Sequence, residues 1–183
     1  QRQMCIRDRL LPVLLGIMLI LTFTACGSDD KEPGPLLNEL KEAEFYQGEL
    51  TTGMVGDTMK NSFFEWKVNS VKTETELNGK SAGEGKKYVV ANISVKNTTK
   101  ETFVTGNYDF IGYMEASEDG HLDTADSFYD DMYPDETELA AGKTLTGDIV
   151  FIVDEDVDEI VMDYMEFYGD ESIGNTNWVD LKL

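Results

Sequence analysis

Beyond residue 60, apolar residues alternate with polar ones through most of the chain, and only near the start do they run together unbroken. Phe64, Trp66 and Val68 alternate with Glu65, Lys67 and Asn69, the period-two pattern of a strand with one buried face. Val71 continues that face if the strand carries a bulge. Asn78 to Gly85 reads as a loop. Val89, Ala91, Ile93 and Val95 then share a second apolar face, which Asn97-Thr98-Thr99-Lys100 ends. Phe110, Gly112 and Met114 alternate with Ile111 and Tyr113, and Glu118-Asp119-Gly120 is a hairpin-type turn signal. Ile149 to Val153 is apolar on both faces, the pattern of a covered central strand. Ile160-Val161-Met162 and Trp178-Val179-Asp180-Leu181 supply two more short strands. Six or seven strands with no long helical period between them predict an all-β chain, an antiparallel β-sandwich. Trp66, on the apolar face with Phe64 and Val68, is expected in its core. Leu36, Leu37 and Leu40 form one stripe and predict a short helix over 36–45.

The unbroken run is Leu10 to Phe23. It is shorter than the roughly 20 apolar residues a membrane-spanning helix needs. Positive charge precedes it and small residues follow, as in a secretory signal peptide. Phe23-Thr24-Ala25-Cys26-Gly27-Ser28 resembles a lipobox, in which a Cys behind a small residue receives diacylglycerol; Phe23 stands where Leu is usual. The expected precursor is cut before Cys26 and lipidated there. Only Cys5 and Cys26 occur, so the mature chain would hold one thiol, at its first residue, and no internal disulfide. Acylation accounts for a lone cysteine on an exported protein. Residues 1–25 are therefore expected to be a signal peptide. Residues 26–53 form a lipidated tether, polar and rich in Gly and Pro at Gly27 to Pro35, and residues 54–183 the sandwich. The expected location is the extracytoplasmic face of the cell membrane, held there by the lipid on Cys26.

Charge sharpens this picture. The 183 residues hold 15 basic and 36 acidic side chains. Residues 1–25 take three of the former and one of the latter, leaving 12 and 35 in the mature part, a formal −23. Such a surface repels nucleic acid and anionic headgroups, so no nucleic-acid partner is expected. All three arginines precede residue 10, which removes the bidentate fork of phosphate clamps from the mature chain. It also marks residues 1–9 as foreign in composition. Gln3-Met4-Cys5-Ile6-Arg7-Asp8-Arg9 resembles translated sequencing-adapter read-through, in place of the natural start of a signal peptide.

A family resemblance rests on motifs in a fixed order: Gly56-Asp57-Thr58, then Phe64-x-Trp66-x-Val68-x-x-Val71, then Gly85 to Asn97, then Leu139 to Phe151. Together they resemble the immunoglobulin-like domains of unknown function common in lipoproteins of Gram-positive bacteria, which are similar in fold to a secreted mycobacterial immunoprotective antigen. The resemblance covers roughly Met54 to Leu183. It implies fold and location and carries no catalytic residue. Ser117 to Glu138 is longer and more acidic than it implies.

Chemistry is sparse. His121 is the only histidine, and it follows a turn, a poor setting for a Ser-His-Asp triad. Carboxylates are abundant, but abundance alone does not make a glycosidase pair. Asp154-Glu155-Asp156-Val157-Asp158-Glu159 opens like a calcium loop, yet Glu159 replaces the turn Gly and Met165 the closing Glu, so it reads as a solvated loop. One histidine and no free cysteine disfavour zinc. Asn97-Thr98-Thr99 matches a glycosylation sequon, and a strand-end turn explains it better. The richest segment is Asp126 to Glu138. Its Asp126, Asp130, Asp131 and Asp135 are candidate ligands for weak calcium, the one cofactor in view. Its Phe128, Tyr129 and Tyr133 are candidate ligand-binding residues, joined by Trp178 in a carbohydrate- or wall-binding alternative. The alternative roles for the whole are an extracytoplasmic enzyme, which would need a deep cleft, and a structural spacer. The expectation that results is a non-enzymatic, membrane-anchored binding module whose protein or cell-wall partner the residues do not specify.

Overall fold

The computed structural model describes residues 32–168 and 173–183, the side chain of Glu118 excepted; the expected signal peptide and Cys26 lie outside the described residues. The elements in order are α1 Pro35–Glu42, β1 Leu50–Met54, β2 Met59–Lys60, β3 Phe64–Glu74, β4 Glu76–Leu77, β5 Lys80–Ser81, β6 Lys86–Asn97, β7 Phe103–Thr105, β8 Phe110–Tyr113, β9 His121–Leu122, β10 Thr137–Leu139, β11 Thr144–Asp154, β12 Glu159–Phe167 and β13 Ile173–Lys182. They form an immunoglobulin-like β-sandwich. One sheet has the order β1-β13-β12-β8-β9 and the other β11-β6-β3-β2, with β4–β5 and β7–β10 as small separate ribbons. Both central ladders are antiparallel; β1 joins β13 in parallel.

The core lies where the alternating patterns meet. Phe64, Trp66, Val68, Ile93, Val95, Ile149 and Phe151 from one sheet face Phe110, Ile160, Met162, Val179 and Leu181 from the other. Trp66 is 1% exposed, and its indole N–H donates to Asn177 Oδ1 at 3.1 Å. The register of β3 on β6 shifts between Val68 and Ser70, which is the bulge that lets Val71 return to the core side. Asn97 ends β6 as the turn reading requires. Its buried amide donates to Glu101 O and Leu139 O, and its Oδ1 accepts from Thr99.

Three expectations need correction. The packed body starts upstream of Met54. The amphipathic helix α1 stops at Glu42, short of Phe45, and lays Leu36, Leu37 and Leu40 on Tyr113, Val161 and Trp178, giving the five-stranded sheet a second, outer core. β1 follows as a full member of that sheet. Second, Ile149 to Val153 is not in a central strand. β11 is the edge of its sheet, and its apolar character on both faces has another cause. Residues 125–133 run along the open edge, with Ala125 N donating to Val150 O, Tyr133 N to Asp148 O and Asp148 N to Asp131 O. Ile152 is left 44% exposed. Third, the Asp154–Glu159 segment is not wholly solvated. Glu159 is buried and its two oxygens accept from Leu36 N and Leu37 N, while Asp180 Oδ2 accepts from Gly34 N, so carboxylates satisfy the first amides of α1.

The strand registers also fix two ends. Glu74, Lys86, Asp154, Glu159 and Lys182 lie at one, and Phe64, Asn97, Thr144, Phe167 and Ile173 at the other. The chain enters at the first end, through Gly34.

Candidate functional site

The acidic aromatic segment read from sequence packs its rings along the sandwich. Tyr133 is fully buried, its ring against Phe110, with its hydroxyl 3.2 Å from Thr105 Oγ1. Met132 is buried beside Tyr88 and Val150, and the half-buried Phe128 and Tyr129 pack on the same patch, the outer face of the four-stranded sheet. Phe128 lies 5.9 Å from Tyr88 by ring centroids. Tyr129 donates to Asp148 Oδ2 at 2.9 Å, and burial together with that carboxylate raises its phenol. Gly147 permits the close passage: a Cβ there would meet Tyr133 backbone atoms at 2.7 Å. Trp178 is fully buried under α1 and offers no surface to a sugar.

The four aspartates do not converge. Asp126 Oδ1 accepts from the Tyr108 hydroxyl, and Asp135 Oδ1 from Ser127 Oγ, Ser127 N and Asn107 Nδ2. Asp130 and Asp131 are exposed. Among the described residues no three His, Cys, Asp or Glu side chains come together as a metal site. His121 is partly exposed, with Nδ1 3.8 Å from Asp123 Oδ1.

A different place gathers chemistry that pattern alone missed. The β7–β10 ribbon pairs with neither main sheet. β12 pairs with β8 only as far as Tyr164, and its last three residues run on. A cleft of about 330 Å³ opens between these parts, at the end of the sandwich opposite Gly34. Phe63 and Phe64 line it from the start of β3, Phe103 and Val104 from β7, Tyr108, Asp109 and Ile111 from the turn into β8, and Tyr164, Met165 and Phe167 from β12. Aromatic rings pack its floor: Phe64 stacks on Phe103 at 5.5 Å and meets Tyr164 edge-on at 4.6 Å. Its rim is apolar and open, with Phe167 66%, Val104 59% and Tyr108 57% exposed.

One carboxylate lines this apolar space. Asp109 Oδ2 accepts from Gly106 N at 2.8 Å and Thr105 Oγ1 at 2.9 Å. Burial raises its carboxyl, and those two bonds pull the other way. Asp109 is exposed to solvent where it lines the cleft. Glu166 shapes the neighbouring wall. Its oxygens accept from Ser62 N, Asn175 N and the Tyr168 hydroxyl, and although burial opposes them, these bonds hold it below its ordinary value. The sequence signal for the cleft was faint: aromatics at element ends, Phe63, Phe103 and Phe167, outside any alternating run.

Comparison with known proteins bears on the fold. A family model described as "Domain of unknown function (DUF4352)" matches residues 53–173. No curated protein matches the sequence significantly. Among solved structures, a candidate lipoprotein of Bacillus subtilis subsp. subtilis is 20% identical with a TM-score of 0.55; the match covers 68% of this chain and only 38% of that one. The yjhA protein of Bacillus subtilis is 13% identical with a TM-score of 0.58, over 71% of this chain and 99% of that one. A secreted protein of Mycobacterium tuberculosis, MPT63, is 17% identical with a TM-score of 0.50, over 71% and 98%.

Proposed function

Because the chain belongs to the family described as Domain of unknown function (DUF4352), we propose its role from the molecule itself: an extracytoplasmic lipoprotein, anchored through Cys26, that binds a small ligand non-enzymatically in the aromatic cleft. The cleft carries this reading. Its volume and its mainly apolar lining with one acidic group are those of a small-molecule site. Exposed rings such as Phe167 lower solubility unless something covers them. Anchoring is supported by the lipobox-like run and by the likeness to a candidate lipoprotein; among the described residues no helix is long and apolar enough to cross a membrane.

Two experiments test the two halves. Cys26→Ala should abolish lipid labelling and shift the protein from the membrane fraction to the medium or to a precursor. Unchanged labelling removes the anchor. Nile red, a neutral apolar dye, should bind the full chain with blue-shifted emission, and a Phe63→Ala, Phe167→Ala double variant should lose that emission. Equal emission from both proteins would leave the cleft as a packing irregularity.

A further inference from the structure

We infer that the cleft takes an organic cation, an alkylated ammonium whose methyl groups meet the aromatic rings and whose charge faces Asp109. This deepens, and rests on, the small-ligand reading of the same cleft.

Three observations converge. The first is the lining, which presents Phe63, Phe64, Phe103, Tyr108, Tyr164 and Phe167 and contains no lysine. Aromatic faces carry the negative lobe of the ring quadrupole, so several rings around one space favour a cation over a neutral group of the same shape. The second is charge. Carboxylates lie near both tyrosines: Asp126, which accepts from the Tyr108 hydroxyl, and Asp135 raise that phenol, and, after burial, Asp109 and Glu166 raise Tyr164. An anionic ligand meets repulsion from these carboxylates. The third is the state of Asp109. One of its oxygens is held by Gly106 and Thr105, and the other accepts no hydrogen bond among the described residues. With Asp109 exposed where it lines the cleft, a cation seated against the rings can pair with its carboxylate.

The same geometry selects among cations. A primary ammonium brings three donors and a tightly held hydration shell. The cleft offers it one free carboxylate oxygen and two phenols against a lining of hydrocarbon. A trimethylated ammonium has no donors to satisfy, sheds water readily, and presents methyl groups that fit against rings. The cleft is therefore built for the alkylated form.

Three probes test this on the full chain: choline, its neutral isostere 3,3-dimethylbutan-1-ol, and ethanolamine, which keeps the charge without the methyl groups. Binding is read by calorimetry at constant ionic strength, with sodium chloride replacing choline chloride in the controls. Choline should bind about tenfold more tightly than either of the others. Asp109→Asn, which keeps an acceptor for Gly106 and Thr105, should remove most of that preference while the neutral probe binds as before. Phe167→Ala, at an exposed position, should weaken choline and the neutral probe together. Equal binding of choline and its isostere overturns the cation assignment but leaves a working cleft. A tighter fit for ethanolamine overturns the alkylated form. No binding of any probe, with no loss of Nile red in Phe167→Ala, overturns the cleft itself.

Discussion

Asp163 sits under α1 with neither carboxylate oxygen hydrogen-bonded, and the indole N–H of Trp178, its cross-strand partner, is also unpaired by geometry. Burial pushes the carboxyl from an ordinary 3.8 up to about 7, the nearby Trp178 opposing. A carboxyl raised on folding holds its proton more tightly in the native state. Its ionisation therefore removes stability as pH rises from about 4 to about 7, and the loss is complete above that window. At pH 8, Asp163→Asn should be more stable than the wild type, by on the order of 2–4 kcal/mol. At pH 4 the two should nearly coincide, and urea midpoints at both values check the sign. Trp66 makes the opposite kind of residue-scale claim. Trp66→Ala empties the centre of the core and strips Asn177 Oδ1 of its donor, and it should cost about 3–5 kcal/mol. A loss under about 1 kcal/mol would contradict the burial. Trp66 was legible in the sequence because a period-two strand commits every second residue to one face. The strain at Asp163 was not, because its neighbours come from α1 and two other strands.

At the scale of elements, the long strands declared themselves and the short ones did not. β3 and β6 carry enough alternation to be read directly, while β11, β12 and β13 were marked by short apolar runs. β1, β2, β7 and β10 span two to five residues, too few for a period to show. The same limit explains why the acidic aromatic segment looked like a ligand site. Along the chain it is a long loop with rings and carboxylates; in space it is the cover for an edge strand, and edge strands need covering. Sequence shows that residues are polar or apolar but not that residues 125–133 will lie beside residues 148–150. Two outcomes follow from the cover. Tyr133→Ala should cost about 3–5 kcal/mol and promote association through the uncovered edge of β11, which light scattering would detect. Millimolar calcium should leave the melting temperature unchanged, since the four aspartates do not converge. A calcium-dependent rise abolished by Asp130→Asn and Asp131→Asn would show that they do.

At the scale of the molecule, position relative to the anchor becomes the question. The chain joins the sandwich at Gly34, beside Asp180 and Glu159, whereas the cleft opens beyond Tyr164. The nine residues of β12 separate these ends by roughly 26 Å at strand rise. The eight peptide units between Cys26 and Gly34 reach at most about 26–29 Å. If Cys26 carries the proposed lipid, the entry end stays within that reach of the surface, and the cleft end lies, on average, farther out and open to ligands arriving from outside. In the proposed mature chain Cys26 is the one cysteine and the proposed lipid occupies it, so single labels can be placed by substitution. Glu84 lies next to the entry end, before Lys86, and Lys100 next to the cleft end, after Asn97; both are exposed. In vesicles carrying the lipidated protein and an acceptor dye in the headgroup layer, a donor on Glu84→Cys should transfer energy more efficiently than one on Lys100→Cys. Equal transfer would mean that the tether lets both ends sample the surface alike. Stronger transfer from residue 100 would mean that the domain lies with its cleft against the bilayer, and the ligand would then have to be sought among lipid headgroups.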